Sequence, residues 1–399
     1  MKACIWRFSL LLAVLALVGG NASSAAAISQ SSPGVAWDWG DNFYGGLGSN
    51  TTDPSLAPIA VQMPANVTFT TVSAGGQDSL ALDTAGHAWA WGDNQHGELG
   101  NNSTDQSLVP VAVQMPPEVT FTTISAGAQP HGGKHELALD TAGRAWAWGY
   151  NINGALGNNS KDQSLVPVPV DMPSNVSFTA ISSGYGFSLA LDTAGQAWAW
   201  GYNGEGELGN NSTDQSLVPV AVEMPANVTF TAISTGNDYS LAVDTDGHAW
   251  AWGYGPLGTN SLVQSLVPVA VQMPPDVTFT KVSAGFGHSL ALDTDGQVWA
   301  WGNNAYGALG TSTVPSITPV PVMAETPPNV TFTTISAGYG FSLALDTAGH
   351  AWGWGYNGEG ELGNNSTTEA RVPVAVQVPT NVTFSMISAG AADGLALQK

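Results

Sequence analysis

The apolar positions of this chain fall in short runs that recur in the same order from residue 35 to residue 399. One copy reads Thr-Phe-Thr-Thr-Val-Ser-Ala-Gly (68–75), Ser-Leu-Ala-Leu-Asp (79–83), Ala-Trp-Ala-Trp-Gly (88–92) and Val-Pro-Val-Ala-Val (109–113). Three of the four are rich in β-branched or aromatic residues. Each is bounded by turn formers: Gly-Gly-Gln-Asp, Thr-Ala-Gly, a Gly/Asn/Asp-rich stretch, and Met-Pro-Pro. No window carries a helical period of useful length. The pattern predicts four antiparallel strands per unit.

Two markers set the number of units. Trp-x-Trp-Gly places its glycine at Gly40, Gly92, Gly149, Gly201, Gly253, Gly302 and Gly355, and a β-branched residue followed by Ser-x-Gly places its glycine at Gly75, Gly127, Gly184, Gly236, Gly285, Gly338 and Gly390. Seven units of four strands, each needing a neighbour to bury its faces, predict an all-β, seven-bladed β-propeller. Residues i and i+2 of a strand share a face, so each Trp-x-Trp pair projects from one side of its blade. The alanine between them leaves the other side thin, and large is expected to pack against small. The array opens on a third strand (Val35 to Trp39) and ends on a first and a second (Ile387 to Gly390, Leu395 to Leu397). The last blade is therefore expected to close with two strands from each terminus, which removes the unpaired edges. Residues 35–399 form one propeller domain in this reading, preceded by a short linker at 28–34.

Residues 1–27 have a different character. Lys2 and Arg7 precede an apolar run, Phe8 to Val18, and then Ala25-Ala26-Ala27. That order is a signal peptide, and the run is too short for a membrane span of about 20 residues. The expectation is an exported protein, secreted or at the cell surface or in the periplasm, with no membrane insertion after cleavage. Cys4 is the one cysteine, so the mature chain has no disulfide and no thiolate ligand. Cleavage moves the formal charge from −22 to −24, because it removes two of the eight basic residues and no acidic one. Such a surface repels nucleic acid and attracts cationic partners.

Gly-Tyr-Asn-Gly-Glu-Gly-Glu-Leu-Gly (201–209) after Trp-x-Trp, and Ala-Gly-Phe-Gly-His-Ser-Leu-Ala-Leu (284–292), resemble repeats of the regulator of chromosome condensation family. The resemblance covers essentially all of residues 35–399 and implies a seven-bladed propeller. It also implies two kinds of precedent. One is guanine-nucleotide exchange on a small GTPase by the nuclear founding member. The other is protein inhibition by secreted bacterial propellers of this class, which act through aromatic loops on one face.

Several segments look chemical and read better as structure. Gly204-x-Gly206-x-x-Gly209 and Gly358-x-Gly360-x-x-Gly363 match a dinucleotide fingerprint but lead into Asn-Asn-Ser-Thr, not a helix. Gly287-His288-Ser289-Leu290-Ala291 lacks the strand-to-helix turn of a nucleophile elbow. Asp244-Thr-Asp246-Gly and Asp293-Thr-Asp295-Gly lack a calcium loop's ligand spacing. His87, His248 and His350 share one turn position. Asn-Val-Thr at Asn66, Asn227, Asn329 and Asn381 is a glycan acceptor in a eukaryotic secretory route, and its phase assigns it a loop-to-strand role. No catalytic residue, metal site or cofactor is expected.

Strand direction sorts the loops onto two faces. The first-to-second and third-to-fourth loops share one face, and on it fall Phe43, Tyr44, Tyr150, Tyr185, Phe187, Tyr202, Tyr239, Tyr254, Phe286, Tyr306, Tyr339, Phe341 and Tyr356, accompanied by Asp41, Asp93, Glu98, Glu205, Glu207, Glu359 and Glu361. The other face has no loop aromatic. Tyrosine among polar groups suits a protein interface. One loop there breaks the repeat: Gly127 to Gly149 is 22 residues where the corresponding intervals take 17. The surplus lies in 128–135 and brings His131, Lys134 and His135, expected to form a finger that orients a partner. Loops also accept such insertions at small entropic cost. The expected function is that of a monomeric binding module with a protein target. The alternatives are a propeller enzyme with its site at the channel mouth, or exchange activity.

Overall fold

The computed structural model describes residues 34–127, 134–313 and 315–399. The expected leader at 1–27, nearly all of the linker, and loop residues 128–133 with His131 lie outside the described residues.

The described residues form seven four-stranded antiparallel sheets and no helix. Six blades are continuous in sequence: I (69–112), II (121–169), III (178–221), IV (230–270), V (279–323) and VI (332–375). Blade VII joins both ends of the chain. Its order from the centre outward is Phe384–Ala389, Asp393–Gln398, Ala36–Gly40 and Ser55–Ala60. The N-terminal strand pairs in register with the C-terminal one, Trp37 opposite Ala396 and Asp38 opposite Leu395. The expected two-plus-two closure is present. The first strands of the blades touch one another in a closed circle.

Three repeated side-chain contacts explain the motifs. The serine of Ser-x-Gly accepts a hydrogen bond from a first-strand amide of the next blade. Ser73 does so from Ala126, Ser125 from Ser183, Ser182 from Thr235, Ser234 from Ala284, Ser283 from Ala337, Ser336 from Ala389 and Ser388 from Ala74, all at 2.9–3.0 Å. The belt runs through blade VII without a break.

The second tryptophan of each pair is buried. It lies on the apolar side of the preceding blade, as where Leu80, Leu82, Ala88 and Ala90 of blade I meet Trp148 and Phe121 of blade II. Its indole donates to a backbone carbonyl of that preceding blade: Trp91 to Gly46, Trp148 to Glu98, Trp200 to Ala155, Trp252 to Glu207, Trp354 to Ala308 and Trp39 to Glu361. In blades I to VI the first tryptophan donates to the turn aspartate, as Trp250 to Asp244 and Trp299 to Asp293, and in blade VII Trp37 donates to Gln398. Those aspartates also accept the turn's amides through Oδ1. The Asp-Thr-Asp-Gly segments are capped hairpins. Asn66, Asn227, Asn329 and Asn381 adopt φ of 61° to 69°, a left-handed conformation that asparagine tolerates better than most residues.

One seam departs from the pattern. The third-to-fourth loop of blade IV has 11 residues, 254–264, where blade I has 14, 93–106. Pro256 stands where the other blades present the acceptor carbonyl, and Trp301 Nε1 finds no acceptor among the described residues. A buried donor left unpaired forfeits about 1–3 kcal/mol. Trp252→Phe should therefore cost more stability than Trp301→Phe by about that amount, read as the difference in urea midpoints at constant m-value. Equal costs would mean that the indole bonds do not pin the blades.

Candidate functional site

The residue that opens each second strand defines a non-repeating ring under the loop face: Asp78, His135, Phe187, Tyr239, His288, Phe341 and Asp393. Each pairs with the glycine of Trp-x-Trp-Gly, as Phe187 with Gly201 and Tyr239 with Gly253. Each also lies near the glycine of Ser-x-Gly. A Cβ at Gly184 would stand 2.6 Å from the Phe187 ring, and one at Gly236 would stand 2.5 Å from the Tyr239 ring. All seven side chains are buried. This corrects the expectation for Phe187, Tyr239, Phe341 and His135, which are not surface contacts: strand pairing draws them out of the loops and inward. The Tyr239 hydroxyl donates to the His288 carbonyl at 2.7 Å and accepts from Ser289 Oγ at 3.0 Å, and burial pushes its pKa well up. Burial also holds His288 down at about 4, so its ring is neutral.

Lys134 is corrected as well. Its Nζ reaches Asp93 Oδ2 at 2.7 Å and Asp78 Oδ1 at 3.5 Å, and its side chain is 3% exposed. Burial would lower it, but Asp78 and Asp93 raise it to about 12. His135 Nε2 bonds Ser188 Oγ at 2.7 Å. The pair that was expected to face a partner from the long loop is thus anchored in blade seams, Lys134 against blade I and His135 against blade III.

Around Lys134 gather Asp78, Asp93, Glu98 and Glu136, all buried. Burial, and next the charge of Asp78, push Glu136 well above the usual carboxylate value. In blade VII, Asp38 and Asp393 are raised in the same way. Glu98, Glu207 and Glu361 were expected among the face's carboxylates but also turn inward. Each accepts a backbone amide of its own loop: His96, Glu205 and Glu359 respectively. Asp93 turns in to Lys134. Among the described residues no group of three or more His, Cys, Asp or Glu side chains is placed to hold a metal ion.

The rings that do reach solvent are Phe43, Tyr185, Tyr254, Phe286, Tyr306 and Tyr339; Tyr44, Tyr150, Tyr202 and Tyr356 are half-buried. Phe43 meets its neighbour Tyr44 at 4.9 Å within one loop, and three contacts join different loops: His96 with Tyr150 at 4.8 Å, Phe286 with Tyr339 at 4.3 Å and Tyr306 with Tyr356 at 5.1 Å. The asparagines that follow Tyr150, Tyr202 and Tyr356 are loop braces. Asn203, for example, donates to Ser212 and Asp214 carbonyls and accepts from Leu208 N. The tyrosine beside each brace is thereby held in one place.

The face is polarised around the ring. Buried carboxyls concentrate in blades VII, I and II. Exposed apolar groups concentrate in the loops of blades IV to VI, where Leu262, Val263 and Ile317 join Tyr254, Phe286, Tyr306 and Tyr339. Sequence reading missed this sector. Its signal was the shortened blade IV loop, where Gly255 replaces the asparagine brace.

Fold and face define a propeller scaffold that presents its exposed loop aromatics on one side. The chain belongs to the regulator of chromosome condensation (RCC1) family: residues 130–399 match the RCC1-like domain, and residues 33–82 and 85–129 match single RCC1 repeats. It is 29% identical to the ultraviolet-B receptor UVR8 of Arabidopsis thaliana over 59% of this chain and 52% of that one. It is 27% identical to the E3 ubiquitin-protein ligase HERC2 of Homo sapiens over 59% of this chain and 5% of that one. The matched region is thus about half of UVR8 and a small part of HERC2. Human WBSCR16 superposes with a TM-score of 0.80 at 21% identity, covering 92% of this chain and 98% of that one. Prp20p of Saccharomyces cerevisiae gives 0.80 at 20%, covering 92% of each. At those identities the likeness is one of fold.

Proposed function

We propose that this protein is an exported propeller that binds another protein through its loop face, with the exposed rings of blades IV to VI at the centre of contact. The observation that carries the reading is the one-sided distribution of exposed aromatics: six rings reach solvent on this face, and the opposite face carries no loop aromatic. Rigid, exposed tyrosines supply large contact area at small entropic cost, as at protein interfaces. Similar propellers engage proteins: Prp20p has binding properties toward Gsp1p and histones, and Kap60 binds it. Export rests on Lys2, Arg7, the apolar run to Val18 and Ala25 to Ala27. The mature N-terminus, read by mass spectrometry, is expected near Ile28, and a functional protein retaining residues 1–27 would contradict export.

The binding test compares the two faces. A partner captured by the purified protein and identified is titrated against Tyr254→Ser, Phe286→Ser and Tyr339→Ser. A second set, Ala85→Arg, Ala194→Arg and Ala348→Arg, alters exposed turns of the opposite face. Truncating a buried interface ring costs about 1–4 kcal/mol, so the first set should weaken binding tenfold or more and the second should not. The reverse pattern would assign the partner to the other face.

A further inference from the structure

Between blades V and VI the loop face sinks into a hollow of about 220 Å³, lined by Phe286, Gly287, His288, Asn303, Ala305, Tyr306, Ala308, Tyr339 and Gly340. Its rim consists of rings. Phe286 and Tyr339 come from the first-to-second loops of the two blades, and Tyr306 comes from the third-to-fourth loop of blade V. Tyr356 backs Tyr306 from behind. Gly340 keeps the wall open: its φ is +76°, and a Cβ there would stand 3.3 Å from the Tyr306 ring. The floor is His288, whose Nε2 is engaged with Ser342 Oγ at 2.9 Å and whose ring carries no charge. The floor therefore offers a cation no competing positive group.

We propose that this hollow receives a guanidinium or ammonium side chain, arginine foremost, from a basic segment of the protein partner. The proposal rests on the loop-face reading above and deepens it. Three lines converge on a cation. Aromatic faces carry negative quadrupole potential and attract a cation within about 6 Å, and a planar guanidinium stacks on them where an ammonium cannot. Behind the rim, the exposed carboxylates Glu359 and Glu369 act on Tyr356. Arg371 is the neighbouring cation; it stands on the fourth strand of blade VI, Ala370–Ala375, and its Nη2 lies 3.5 Å from the Ala305 carbonyl. The whole chain carries a formal charge of −22, which draws basic partners over distances of about a Debye length. The charge brings the partner in, and the rings select the planar cation.

The test uses a fluorescent peptide alternating glycine and arginine, and its counterpart with citrulline, the same shape without charge. Binding to the purified protein is read by anisotropy at physiological salt. The arginine peptide should bind at least tenfold more tightly than the citrulline one. Tyr306→Leu and Tyr339→Leu leave the protein's charge unchanged, and each should weaken the arginine peptide by about 3- to 10-fold, the range of a desolvated cation–aromatic contact. Phe43→Leu and Tyr185→Leu, exposed rings of blades VII and III, should leave it unchanged. Equal binding of the two peptides overturns the proposal. So does arginine-peptide binding that falls with salt but ignores Tyr306→Leu and Tyr339→Leu, since the acidic surface alone would then account for it. The identified partner separates this inference from the reading beneath it. If the partner tolerates Tyr306→Leu and Tyr339→Leu yet is lost on Tyr254→Ser, the hollow is refuted and the face stands. If only opposite-face changes release it, both fall.

Discussion

Deleting residues 386–399 is expected to abolish cooperative unfolding. The deletion removes the strand Asp393–Gln398, on which the N-terminal strand Ala36–Gly40 is paired, and most of the inner strand Phe384–Ala389. Buried Ile387, Leu395 and Leu397 leave the core. Truncating one such side chain costs roughly 2–5 kcal/mol, and a folded domain has about 5–15 kcal/mol in all. Three already exhaust the margin. The serine belt also opens, because Ser388 no longer accepts from Ala74 N, and Trp37 loses Gln398 as its indole partner. The two-stranded pair Ala36–Gly40 and Ser55–Ala60 then remains with its inner edge exposed, and exposed strand edges associate. Calorimetry should show no sharp transition, and light scattering should show aggregates. A truncated protein that melts as the full chain does would refute the two-plus-two closure.

The second large effect is a stability that declines as pH rises. Burial raises Glu207 and Glu361 from 4.5 to about 7. Asp38, Glu136 and Asp393 are also raised well above the usual carboxylate value, by burial and by neighbouring carboxyls. For a carboxyl whose folded pKa is raised, the folded state holds the proton that the unfolded chain has released. Stability is then undiminished below the unfolded pKa and falls as pH climbs from there through the folded value. At about 1.4 kcal/mol per unit of pH, Glu207 and Glu361 each cost the fold roughly 3 kcal/mol above pH 7. The opposite contribution comes from Asp83, Asp140 and Asp346. Burial pushes these up, but the turn amides and the tryptophan indoles more than offset it, and their pKa values end below the usual one. They support the fold above that range, and the support fades as pH drops through their folded values. The melting temperature should therefore peak near pH 4–5 and fall toward pH 8. Glu207→Gln with Glu361→Gln keeps an oxygen for the Glu205 and Glu359 amides. It should flatten the decline and raise the melting temperature at pH 8 by several degrees. A melting temperature that climbs steadily from pH 5 to pH 8 would contradict these shifts.

Fold and phase were legible because the contacts that join the blades are made by residue types that stand out. Tryptophan at i and i+2, glycine at left-handed turns and serine two residues before a glycine each recur with their contact. The exposure of individual rings was not legible. Tyr185 and Phe187 are two residues apart in a loop reading Gly-Tyr-Gly-Phe, yet one reaches solvent and the other is buried. The difference lies in register: Gly186 turns the chain at φ +70°, and pairing with Gly201 then draws Phe187 inward. Lys134 looked like a free cation on a long loop because the carboxylates that hold it, Asp78 and Asp93, come from blade I, more than 40 residues earlier. Two departures from the repeat were visible without their meaning: Asp38 where five blades have alanine and blade VI has Gly353, and Glu136 where five blades have serine and blade VII has Gly394. Both mark the buried acidic sector.

Hydrogen–deuterium exchange of the protein alone and with its identified partner tests the loop-face assignment most directly. Binding should slow exchange in the loops at 254–264, 285–288, 303–313 and 338–341, and leave the turns at 84–87, 193–196 and 347–350 unchanged. Protection confined to those opposite-face turns, with the blade IV to VI loops exchanging as in the free protein, would contradict the account.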